Sequence, residues 1–181
     1  MPPTRVGETS SIQNYRRRPN NPENNSTTNY GRESLTQFIR RLYGEEVSAL
    51  HRQLEHSRKK KAHLLASLAF LSRCREEDVI PKFLKTKPTV RSAQARRIYS
   101  RTEKALLRER IQNTRRELAK IDSNLITLFY QLSNRLHRSD WDKVDSISYR
   151  SMENELERST DRQKKKFEKL SVNQKSTQKR I

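Results

Sequence analysis

A ladder of apolar residues in the middle of this 181-residue chain limits its fold more than any other feature. Leu107, Ile111, Thr114, Leu118, Ile121, Leu125, Leu128 and Leu132 follow one another in alternating steps of four and three, and Leu136 adds a last step of four. That alternation holds one narrow stripe on one side of an α-helix, whereas a strand would need a period of two. Only Thr114 interrupts it with a polar group. A second ladder with the same steps runs through Leu50, Leu54, Ser57, Lys61, Leu64, Leu68 and Leu71, with polar residues at Ser57 and Lys61. Two such stripes are stable only when each is covered, and facing helices cover them best.

The expected fold is therefore all-α: an elongated antiparallel helical hairpin or coiled coil with a third helix and a disordered N-terminal tail. Residues 1–33, rich in Asn, Pro, Ser, Thr and Arg, read as the disordered basic and polar tail. The first helix is expected over 34–76, with Gly44 as a weak point. Pro81 and Pro88 stop it, and 77–92 reads as a structured loop because Val79, Ile80, Phe83, Leu84 and Val90 are too apolar for a bare linker. The second helix is expected over 93–137 and the third over 138–170, with Ser139 as N-cap, leaving 171–181 as a disordered tail. Counting inward from the two inner helix ends puts Ser57, Lys61 and Thr114 in one polar layer that would set the register.

Charge narrows the function. The chain has 40 Lys+Arg against 21 Asp+Glu, a formal net charge of +19, and only 31% hydrophobic residues. Such a field favours a polyanionic partner, nucleic acid before others. Three glycines leave little room for a phosphate-binding Gly-rich loop. His51, His56, His63 and His137 lack zinc-ligand spacing, and Cys74 is the only cysteine. Asp140, Asp142 and Asp145 cluster at a helix start, where the helix dipole already accounts for them. No enzyme, metal or cofactor is expected. No apolar stretch reaches membrane-spanning length and no secretory signal pattern is present, so no membrane partner is expected and the chain is placed inside the cell, in nucleus or cytoplasm. Arg73 and Arg75 flank Cys74 and could lower its pKa, although a half-buried, unreactive thiol is the better expectation.

The candidate nucleic-acid-binding residues lie chiefly on the second helix. Arg97, Arg101, Lys104, Arg108 and Arg115 are spaced to fall within a sector of roughly 60°, beside the leucine stripe. A row of cations beside a buried seam can follow a phosphate backbone. A plain solvated face is the competing explanation. Lys59 and Lys60, from the run Arg58–Lys61, and Lys82 in the loop complete the set. Tyr99 and Tyr130 are the aromatics near helix-borne cations that could stack on bases, with Tyr130 expected to flank the seam. Arg96, Arg97 and Arg101 ahead of Leu118, Leu125 and Leu132 also weakly resemble a basic-leucine-zipper arrangement, without that family's basic-region Asn.

Three short blocks occur in order: Phe70-Leu71-Ser72-Arg73-Cys74-Arg75, Val79-Ile80-Pro81-Lys82-Phe83-Leu84 and Ala105-Leu106-Leu107-Arg108-Glu109-Arg110-Ile111. Together they resemble the region upstream of the polymerase domain in Penelope-like retroelement reverse transcriptases. The resemblance covers residues 64–137, under half of the chain. It implies a nucleic-acid-handling helical region, with Cys74, Ile80, Pro81, Lys82 and Leu84 as matching positions. Polymerase and endonuclease motifs are missing, so neither activity carries over. The resulting expectation is a non-enzymatic basic helical protein that binds RNA or DNA through phosphate contacts, as an accessory or truncated retroelement-derived region. The alternative is a coiled-coil scaffold, binding a protein partner or a second copy through the leucine seam of the second helix.

Overall fold

The computed structural model describes residues 33–85 and 93–178, with side chains over 33–85 and 100–172. Three long helices make up nearly all of it, and there is no strand among the described residues: α1 Leu35–Glu76, α2 Ala93–Arg135 and α3 Arg138–Gln178. The expected tail at 1–32 and loop residues 86–92 lie outside the described residues.

Local chemistry explains where α1 starts and stops. Ser34 and Gln37 form a capping box: the Gln37 amide donates to Ser34 Oγ at 3.2 Å, and the Ser34 amide donates to Gln37 Oε1 at 3.0 Å. Two backbone donors that no helix turn can reach are thereby satisfied. At the other end Asp78 adopts φ 53°, the left-handed conformation that closes a helix. The Val79 amide then reaches back to the Cys74 carbonyl at 2.8 Å, and Val79 buries its side chain in the same cluster as Cys74. Asp substitutes for the usual glycine here, one of the few residues able to do so cheaply. Gly44 breaks α1 internally with φ 88° and ψ 177°, a backbone region open essentially to glycine alone. The chain turns there, and Tyr43 meets the start of α3: its hydroxyl donates to Asp140 and accepts from the His137 amide at 3.3 Å.

The leucine ladder of α2 is buried throughout, from Leu107 to Leu136, with Thr114 only 5% exposed. It packs on α1 in antiparallel fashion, while α3 runs back alongside α1 in the same direction as α1. α1 is therefore the middle helix. α2 and α3 meet each other sparingly, and no core shared equally by three helices forms. Two clusters result. One joins Ile39, Val47 and Leu54 to Leu125, Leu128, Leu132 and Val144; the other gathers Leu71, Cys74, Val79, Ile80, Leu107, Ile111 and Phe167.

Three expectations need correction. Ser57 does not share a layer with Thr114: it accepts a hydrogen bond from Asn124 at 3.3 Å, and Lys61 pairs with Asp122 at 2.6 Å. The register is displaced by roughly three helical turns. Counting from the ends assumed that α1 and α2 finish flush. Instead Asp78, just past the end of α1, pairs with Lys104 at 2.8 Å, so the first turns of α2 run on past α1. α3 starts at Arg138, the expected bound, but with His137 rather than Ser139 at its cap: the His137 carbonyl accepts from Asp140 and Trp141 at 3.0 and 2.9 Å. And α3 continues to Gln178 instead of ending at 170.

The α1–α3 interface contains polar groups with no partner. His51 is fully buried, and neither ring nitrogen has a hydrogen bond; Ser48 and Ser148 hydroxyls are likewise unbonded. Burial lowers the His51 pKa, against a smaller opposing effect of Glu55, whose carboxylate lies 3.8 Å from Nε2. The unfolded chain takes up a proton at this histidine near pH 6.5, whereas the folded chain resists it. Stability is thus expected to fall as pH drops through that value, and the acid loss should be largely absent in His51→Leu. Thermal melts between pH 7.5 and 5.5 check this.

Candidate nucleic-acid interface

The second helix carries the stripe predicted from spacing, and the fold sorts its members. Arg101, Arg108 and Arg115 are exposed and make no ion pair among the described residues. Lys104 is instead committed to Asp78. Arg97 belongs to α2, but its side chain lies outside the described residues. From Arg101 to Arg115 the helix rises about 21 Å. No carboxylate of α2 enters this sector until Asp122, which is paired with Lys61. Arg110, Thr114 and Glu117 border a trough toward α3. Arg108 and Arg115 sit two residues before Arg110 and Glu117, roughly 200° around the helix, and so point away from that trough.

Tyr130 departs from the sequence expectation. It is 71% exposed and does not flank the seam. Its helical position puts it on the same flank as the arginines, about 22 Å beyond Arg115, with exposed Ile126 one turn before it. The flank therefore joins free guanidinium groups to an exposed ring. Tyr99 has its side chain outside the described residues.

The remaining predicted residues do not join this flank. Lys59 and Lys60 are exposed on α1 without ion pairs among the described residues, but neighbouring residues on a helix point about 100° apart. Their run divides: Lys61 is held by Asp122, and Arg58 is buried. The Arg58 guanidinium donates to the Asp145 carbonyl at 2.8 Å and to its carboxylate, and lies 4.9 Å from the Phe129 ring centre and 5.8 Å from that of Tyr149. It links all three helices rather than facing a ligand. Lys82, on a short 3-10 helix over Lys82–Leu84, borders the trough between α2 and α3.

The blocks that carry the retroelement resemblance have structural work in this fold. Cys74, Ile80 and Pro81 are buried where α1 ends, and Leu84 donates its amide to the Pro81 carbonyl at 2.9 Å. Burial, and secondarily Glu77, pushes the Cys74 thiol up to about 11, with Arg73 opposing weakly. The flanking arginines do not activate it. Arg73 instead lies 4.1 Å over the ring of Phe167.

Neither a family model, nor a curated protein, nor a solved structure matches this chain. Among the described residues no group of three or more His, Cys, Asp or Glu is placed to hold a metal ion. Tyr43 and Arg58 engage Asp140 and Asp145. No described helix is long and apolar enough to cross a membrane. The α2 leucine seam, considered above as a surface for a second chain, is covered by α1 of the same chain.

Proposed function

We propose that this protein binds nucleic acid without catalysing a reaction, gripping the phosphate backbone along the outer flank of α2. One observation carries the reading: Arg101, Arg108 and Arg115 form an exposed row with no ion-pair partner among the described residues, on a helix whose seam is otherwise spent on folding. Keeping three guanidinium groups aligned and unpaired leaves them available to planar phosphate oxygens. Tyr130, farther along the same flank, adds a ring on which an unpaired base can stack. Contacts to phosphates carry no sequence information by themselves, so the binding is expected to be sequence-tolerant. The resemblance to the region upstream of the polymerase in Penelope-like reverse transcriptases agrees with this role. In this reading the chain is an accessory or truncated retroelement-derived region, acting in the nucleus or cytoplasm.

Anisotropy titrations with duplex DNA, single-stranded DNA and single-stranded RNA test the reading. Three or four neutralised phosphates predict a loss of about 40- to 150-fold in duplex affinity between 50 and 200 mM salt. An affinity indifferent to salt would exclude a phosphate-led mode. Tyr130→Ala is expected to weaken single strands about fivefold or more and to spare duplex DNA. Equal losses on both would remove the stacking role.

A further inference from the structure

α2 and α3 diverge along the lower half of α1 and leave an open trough of about 460 Å³ between them. Its floor is Leu64, Ser67, Phe70 and Leu71 of α1, its α3 wall includes Leu170, and Pro81 and Phe83 close one end. Phe83 is 65% exposed, a large apolar surface left facing water at the mouth. The trough spans Leu64 to Leu71 on α1, Arg110 to Glu117 on α2 and Gln163 to Leu170 on α3. On each helix that is two turns, about 10.5 Å. Basic residues line both edges: Arg110 on the α2 side, Lys166 and Lys169 on the α3 side, and Lys82 at the closed end. Glu117 is the single carboxylate among the described residues that line it.

We infer that this trough docks an acidic amphipathic helix from a partner protein. The length fits, because apolar anchors at i, i+4 and i+7 of a helix span the same two turns. The walls fit, because acidic residues beside such anchors would meet cations on both edges. The floor favours an apolar helix face over a sugar-phosphate backbone. It is largely apolar, with Leu64, Phe70 and Leu71 recessed between the helices, and phosphates and sugars gain nothing from burying there, whereas leucine or isoleucine anchors do. The site faces away from Arg108 and Arg115, so it stands apart from the phosphate-binding proposal and can fail or hold independently of it.

The test uses the full chain and a labelled 15-residue helical probe peptide with three leucines at i, i+4 and i+7 flanked by glutamates, at 0.15 M salt. Micromolar binding is expected. Replacing the leucines with serine should weaken it at least about tenfold, and replacing the glutamates with lysine should abolish it. Phe83→Ala and the double variant K166E/K169E alter exposed positions and should each weaken the acidic probe about fivefold or more. R101Q/R108Q/R115Q should leave it within about twofold, because exposed charges beyond a Debye length are screened. Absence of binding overturns the inference. So does equal affinity for the serine peptide, which would mean simple attraction to a basic protein. Displacement by single-stranded RNA that K166E/K169E abolishes would reassign the trough to nucleic acid and overturn it as well.

Discussion

Arg58→Ala is expected to destabilise the protein by about 2–4 kcal/mol, although Arg58 stands in a run of four basic residues that supplies candidate nucleic-acid contacts. The side chain is 5% exposed, and its guanidinium joins α1 to the Asp145 carbonyl and carboxylate of α3 while lying over Phe129 of α2. Truncation removes a paired charge, a ring contact and the packed stem at once. The figure is set below that for a wholly buried pair because Asp145 is 43% exposed and can be hydrated again. Arg58→Lys cannot reproduce the two-pronged contact, so it should recover little. Arg58→Met should recover more, by refilling the space. Urea unfolding provides the comparison, with Lys59→Ala and Lys60→Ala as neighbours expected to change stability by less than about 0.5 kcal/mol. If Arg58→Ala were as neutral as these, the three-helix junction described here would be wrong.

The second large effect concerns binding. Exchanging Arg101, Arg108 and Arg115 for glutamine is expected to lower nucleic-acid affinity by two to three orders of magnitude near 0.1 M salt, with helicity unchanged. The size follows from counterion release: three lost phosphate contacts remove about 2.7 from the slope of log K against log salt, which at 0.1 M amounts to about 500-fold relative to 1 M. Glutamine keeps helix propensity close to that of arginine, so the fold should persist. Lys104→Gln offers a contrast. Its ammonium already serves Asp78, so it should cost stability at the α1–α2 register and little affinity beyond that.

These two predictions mark how far the sequence could be read. The α2 ladder was legible because nine positions in steps of three and four admit one kind of element, and every one of them is buried. The register was not legible, because nothing in the spacing shows that α2 begins before the point where α1 ends. The Asp78–Lys104 pair marks that offset, and the packing of Leu71, Val79 and Ile80 against Leu107 and Ile111 holds it. The role of Arg58 was hidden by its neighbours' charge. A signal existed: Leu54, Arg58, Ala62 and Ala66 recur every fourth residue, a row whose small members let α3 approach, and Arg58 lies in the middle of it. Tyr130 lies two residues from Leu128, which turns the helix by roughly 200° and carries the ring to the outside rather than beside the seam. The arginine stripe itself was legible as spacing. Which of its members stay unpaired required the partner helix.

Arginine footprinting tests the central claim most directly. The full chain is treated with phenylglyoxal, free and saturated with single-stranded RNA or duplex DNA, and modification is read residue by residue by mass spectrometry. Protection of Arg101, Arg108 and Arg115, with Arg150, Arg158 and Arg162 on α3 remaining as reactive as in the free protein, is the predicted result. Uniform protection of all six, or protection confined to the α3 arginines, would contradict the assignment of the outer flank of α2 as the phosphate-binding face.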